Sequence, residues 1–145
     1  MNKRKITRTE RERLVETANL AKVNAYAPYS QFPVGAALLT EDYTFFAGCN
    51  VENSSYGLTI CAERNAIFKA VCAGQRKFKA IAIVSNDNFL PPCGACRQVL
   101  SEFSPDIEII LSAVKGGIKV IPLKKLFPMP VDLKKLGKKT VKKKK

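Results

Sequence analysis

Histidine is absent from the 145-residue sequence, so no zinc site mixing cysteine and histidine ligands can be built from it. Also missing is any run approaching the ~20 uninterrupted apolar residues of a membrane-spanning helix. The opening residues, Met1-Asn2-Lys3-Arg4-Lys5, lead into charged rather than apolar sequence, so a secretory signal peptide is not expected. Internal repeats are lacking. Cysteine is sparse and odd in number: Cys49, Cys61, Cys72, Cys93 and Cys96. Five thiols suit a reducing compartment better than a disulfide framework, and a cytoplasmic location is expected.

What is present is enough for one core. Hydrophobic residues make up 46% of the chain, and its length is that of a single domain. That domain is expected over 1–133, followed by a Lys-rich, disordered tail over 134–145. The formal charge of +13 suggests a nucleic-acid binder until its distribution is mapped. Residues 1–13 are net +4 and residues 115–145 net +11, while the body over 14–114 is net −2. A groove tracking a polyanion needs positive charge beside the site. The lysines are therefore read as a solvated tail, with weak, non-specific contact to RNA or anionic surfaces as the alternative.

Thr9-Glu10-Arg11-Glu12 matches a capping box, and Leu14, Ala18, Ala21 and Ala25 then share a helical face until Pro28. Strands are predicted over 33–40 and 43–51, joined by a turn at Glu41-Asp42. A second helix is predicted from Cys61 to Ala73, stopped by Gly74. Phe78–Ser85 reads as a strand buried on both faces. A third helix follows over Gly94–Phe103, then strands near 107–113 and 117–121. The order implies one mixed five-stranded sheet with helices on both sides.

Two cysteine clusters, Cys61-Ala62-Glu63 and Pro92-Cys93-Gly94-Ala95-Cys96, each open a predicted helix. The free N–H groups and partial positive charge of a helix N-terminus favour thiolate over thiol. Two such ends converging would offer three thiolates to one Zn²⁺ and leave a fourth position for water, which marks a catalytic site. Glu63, two residues after Cys61, could carry a proton from that water. This follows a known pattern of zinc nucleobase deaminases: a ligand, x, Glu, then Pro-Cys-x-x-Cys. Taken alone, Cys-x-x-Cys could equally be a redox pair or a structural zinc knuckle. Cys49, in a strand, and Cys72, on an apolar helical face, read as packing residues.

The sequence resembles the small cytidine deaminases from about Tyr26 to Leu133. The match is carried by Ala27-Pro28-Tyr29-Ser30-Gln31-Phe32-Pro33-Val34-Gly35-Ala36-Ala37-Leu38, Gly48-Cys49-Asn50-Val51-Glu52-Asn53, Cys61-Ala62-Glu63-Arg64 and Pro92-Cys93-Gly94-Ala95-Cys96-Arg97-Gln98-Val99. The resemblance implies a three-layer α/β/α sandwich and a homotetramer with shared active sites. It also implies one zinc per chain held by Cys61, Cys93 and Cys96, with Glu63 as the proton shuttle. Asn50 and Glu52 would bind the ribose, Phe32 would pack on the pyrimidine, and the backbone at Ala62 would meet the base's polar edge. Ser54 and Tyr56 would reach a neighbouring subunit's site. Read without the resemblance, Phe32 could be core, Asn50 a turn former and Glu52 a solvated charge.

Three thiolates on Zn²⁺ leave a net −1 centre, and Arg64 is expected to offset it by donating to the sulfurs. The implied reaction is hydrolytic removal of the 4-amino group of free cytidine and 2′-deoxycytidine, giving uridine or 2′-deoxyuridine and ammonia, as in pyrimidine salvage. Two alternatives are a deaminase acting on a base within nucleic acid and a zinc-stabilised nucleic-acid-binding module. The first more often begins with His-x-Glu and needs a basic channel. The second needs stacking aromatics among its lysines, and none are there. A blasticidin-type deaminase shares Cys-x-Glu, but Asn50-Val51-Glu52-Asn53 favours an ordinary nucleoside. The C-terminal stretch Leu126–Leu133 departs from the family, which often places an aromatic there to cover the base; Phe127 and Met129 are the nearest substitutes.

Overall fold

The computed structural model describes residues 4–136. Its first helix, α1 (Arg8–Lys22), is capped two residues before the predicted cap, Thr9. Thr7 is the cap: its hydroxyl accepts the Glu10 N–H at 3.2 Å, and Glu10 Oε2 accepts the Thr7 N–H at 2.8 Å. The segment Thr7-Arg8-Thr9-Glu10-Arg11-Glu12 contains two overlapping boxes. The earlier one adds half a turn of helix and leaves Ile6 free to enter the core, where it is buried. The helix also stops at Lys22, so Ala25 lies outside it.

Strands β1 (Gly35–Thr40) and β2 (Phe45–Cys49) form the predicted antiparallel hairpin. Helix α2 (Ala62–Cys72) ends at Gly74, whose φ of 88° provides the left-handed residue that stops it. Then come β3 (Phe78–Val84), α3 (Gly94–Phe103), β4 (Glu108–Ser112) and β5 (Ile118–Pro122). Two short helices that periodicity did not reveal close the described chain, α4 (Leu123–Leu126) and α5 (Leu133–Leu136). Residues 134–136 of the Lys-rich tail belong to α5, where Lys134 pairs with Glu102 at 2.7 Å; the rest of the tail lies outside the described residues.

The sheet order is β2-β1-β3-β4-β5, antiparallel except for the β3–β4 pair. It is the mixed five-stranded sheet expected. Alternation along β1 divides the core. Ala36 and Leu38 face α2 and α3, whereas Ala37 and Leu39 face α1 with Leu14 and Ala18. Ile81 and Ile83 of β3 are fully buried, each adding about 1.5–3 kcal/mol of burial free energy. Helices therefore cover both faces, giving the three-layer α/β/α sandwich. No helix of the described residues is long and apolar enough to cross a membrane.

Candidate metal centre and active site

Cys61 is the N-cap of α2 and Cys93 the N-cap of α3, as their positions after loops predicted. Cys96 lies one turn into α3 and is fully buried. Packing of α2 and α3 on one face of the sheet brings the three sulfurs within 4.8 Å of one another. The Cys61 and Cys93 sulfurs are 3.8 Å apart. Tetrahedral zinc with ~2.3 Å bonds to sulfur sets its ligands about 3.8 Å apart. The cluster is positioned to hold one metal ion, and its all-sulfur donors suit zinc.

Two contacts set where α2 begins. Gly48 on β2 lets the helix lie directly on the strand; a Cβ there would meet Ala62 O at 2.5 Å and Ala66 N at 2.6 Å. Asn65 Nδ2 donates to Cys49 O at 2.8 Å. Sequence reading missed both, although a glycine inside a strand often signals close backbone approach. It missed Arg97 as well, which donates to Pro92 O at 2.8 Å and to Leu126 O at 2.9 Å. Arg97 thereby ties the loop before Cys93 to the C-terminal segment.

The electrostatics follow from the packing. A hydrogen bond from Cys96, with further help from the Arg64 guanidinium, lowers the Cys61 thiol to a pKa of about 5. Sharing that hydrogen bond, and burial, push the Cys96 thiol upward. Arg64 Nη2 donates to Cys61 Sγ at 3.4 Å, while its buried Nε has no partner among the described residues. Glu63 is buried, and burial together with the negative Cys61 raises its carboxyl to about 7.

The other predicted residues fall on the loop before β1, on the segment from Asn50 to Tyr56 and at the start of α2. Val51 bridges Ile60, so the Asn50–Glu52 segment runs beside the residue preceding Cys61. Asn50 is buried; its Oδ1 accepts the Val34 N–H at 2.9 Å and its Nδ2 donates to Phe32 O at 2.9 Å. Glu52 is also buried rather than solvated, and accepts the N–H groups of Tyr29 and Ser30 at 2.9 and 3.2 Å. Phe32 packs at the edge of the core. Ala62 is fully buried at the first position of α2. Ser54 and Tyr56 stay on the outside: Ser54 shares a 2.6 Å hydrogen bond with the Tyr29 hydroxyl, and the Tyr56 ring tilts against Tyr29 at 5.7 Å. Phe127 is half-buried against the core, while Met129 is 88% exposed.

A cavity of ≈ 250 Å³ opens among Tyr29, Ser30, Glu52, Tyr56 and Thr59, beginning two residues before Cys61. A larger one, ≈ 330 Å³, lies at the other end of the sheet and contains none of the cysteines. No cysteine lines either cavity; the smaller one is bordered by Glu52 and by Thr59 on the segment that leads to Cys61.

Residues 8–112 match the family model of the cytidine and deoxycytidylate deaminase zinc-binding region. A cytidine deaminase of Sporosarcina psychrophila is 50% identical over 119 residues, 81% of this chain and 88% of that one. A cytidine deaminase of Halalkalibacterium halodurans is 48% identical over 121 residues, covering 82% and 92% of the two chains. Among solved structures, cytidine deaminase from Burkholderia pseudomallei superposes with a TM-score of 0.81 at 47% identity, over 87% of this chain and all of that one.

Proposed function

Because the chain belongs to the cytidine and deoxycytidylate deaminase family with its zinc-binding region, we propose that it hydrolyses the 4-amino group from both free cytidine and 2′-deoxycytidine. The products are uridine or 2′-deoxyuridine and ammonia, a pyrimidine-salvage reaction. The observation that carries this reading is a buried Glu63 beside three sulfurs drawn from two helix N-termini.

Cys61, Cys93 and Cys96 would hold zinc, which when bound acts as a Lewis acid and lowers the pKa of a water at the open fourth position. Glu63 takes a proton from the attacking water and delivers it to N3 of the base as the oxygen adds to C4. It then takes the second proton, from the hydroxyl added at C4, and passes it to the amine as the C4–N bond breaks, so that ammonia leaves and the C4 carbonyl forms. A carboxyl held near neutrality can both accept and release a proton, which suits two opposite transfers. Arg64 balances the sulfur charge. Asn50 has one N–H and one lone pair left beyond its loop bonds, and with Glu52 it receives the ribose hydroxyls. Phe32 packs against the pyrimidine, and the α2 backbone at Ala62 meets its polar edge.

We also infer a homotetramer in which Ser54 and Tyr56 reach a neighbour's site. Supporting this are large apolar side chains left exposed near the opening, Tyr56 at 74% and Leu58 at 64% among them. Five free thiols support a cytoplasmic setting.

The test follows ultraviolet absorbance of cytidine, 2′-deoxycytidine, cytidine 5′-monophosphate and a cytosine-containing oligonucleotide with zinc-quantified protein. Turnover of the two nucleosides alone, at about one zinc per chain, supports the reading. Activity confined to the oligonucleotide, or full zinc with no turnover at all, overturns it.

A further inference from the structure

The hydrogen-bonding capacity of Glu52 is almost filled by the protein itself. Its Oε2 accepts two backbone N–H groups, from Tyr29 at 2.9 Å and Ser30 at 3.2 Å. Its Oε1 accepts the Ser30 hydroxyl in a short contact. A carboxylate offers about four lone-pair positions, so one remains, on Oε1. Glu52 lines the ≈ 250 Å³ cavity.

Ser30 has a second attachment. Its Oγ accepts the N–H of Phe32 at 3.1 Å. One hydroxyl thus links Glu52, assigned to the sugar, with Phe32, assigned to the base. Between them Gln31 adopts φ 54°, in the left-handed region. A non-glycine residue holds that conformation only where its surroundings impose it, and the Ser30–Phe32 bond together with Gln31 N–H to Ala27 O at 2.9 Å does so.

We propose that Ser30 is a positioning residue for the nucleoside sugar: it locks the Glu52 carboxylate so that its single open acceptor meets one sugar hydroxyl. This deepens the functional reading above and rests on the sugar-binding role given there to Glu52. The same hydroxyl, ahead of the backbone donors, holds the Glu52 carboxyl below the usual carboxylate range, so the open position is that of an anion. An anion with one free lone pair selects a hydroxyl donor and repels a phosphate in its place. Since cytidine and 2′-deoxycytidine share their 3′- and 5′-hydroxyls, the partner is one of those two.

Ser30→Ala removes the lock and leaves Glu52 itself in place. KM for cytidine should rise about tenfold with kcat changed less than about twofold, the pattern for lost ground-state and transition-state binding alike. Ser30→Thr, which keeps the hydroxyl, should restore KM; zinc content should be unchanged in both. The decisive comparison uses 3′-deoxycytidine and 5′-deoxycytidine. On the one lacking the hydroxyl that Glu52 accepts, Ser30→Ala should cost nothing beyond what the wild type already loses. If the wild type handles both analogues as well as cytidine, the sugar-binding reading of Glu52 fails, and the proposal with it. If the wild type discriminates but the Ser30→Ala penalty is the same on all three nucleosides, or falls on kcat, the reading stands and the positioning role of Ser30 is overturned.

Discussion

Arg64 and Cys61 lie one turn apart on α2, and the guanidinium Nη2 donates to the sulfur at 3.4 Å. The contact joins the residue that follows the proposed proton carrier to the residue that caps the helix. It draws charge away from a thiolate set that would otherwise leave zinc with a net negative centre.

Arg64→Ala should therefore keep the fold while loosening the metal, by about 10–100-fold in affinity. Competition against a chromogenic chelator measures this directly. Zinc retention and turnover both equal to wild type would show that the contact is incidental.

Glu63→Gln should retain about one zinc per chain yet lose on the order of 10²–10⁴ in kcat, since the amide cannot carry a proton. Metal analysis and the absorbance assay on the same preparation separate the two effects. Near wild-type turnover would remove Glu63 from the mechanism.

The raised carboxyl of Glu63 also makes a prediction for the zinc-stripped protein. Its folded pKa of about 7 lies above the unfolded value of 4.5. Below pH 4.5 both states hold the proton and Glu63 has no effect. As pH rises towards 7 the unfolded state ionises first, and the fold loses up to about 3 kcal/mol. Wild type and Glu63→Gln, compared by denaturant unfolding, should diverge over that window in favour of the mutant. A difference independent of pH would contradict the buried, protonated carboxyl.

Gly48→Ala should destabilise by about 1–3 kcal/mol, because the new methyl meets helix backbone rather than a movable side chain. The displaced element carries Cys61, so zinc affinity should fall with stability. Unfolding midpoints and chelator competition test the pair, and unaltered values for both would mean α2 can shift without disturbing the site.

Much of the centre was legible in the chain because its parts are local. Cys61 and Glu63 are two residues apart, Cys93 and Cys96 three, and each pair begins a helix whose start follows from the loop before it. The bounds of α3 were read as Gly94–Phe103 and are so found. The apolar run Ala80–Val84 announced a buried central strand for the same reason: its pattern needs no distant partner to be recognised. Where two local signals competed, reading failed, as with the overlapping boxes at Thr7 and Thr9.

Only the tertiary structure decided how the parts are used. Asn50 could be a turn former or a sugar ligand on sequence grounds; folding makes it a brace, because the chain path sets its amide between Phe32 O and Val34 N. Glu52, without the family resemblance, reads as a solvated surface charge; in the fold it accepts the N–H groups of Tyr29 and Ser30 and is buried. Gly48 and Ser30 carry no chemistry that spacing would flag, and their roles depend on elements 14 or more residues away. Short-range spacing determines which groups exist and what they could bind. Hydrogen bonds and packing between distant segments determine which of their donors and acceptors are left open, and only a folded chain brings those segments together.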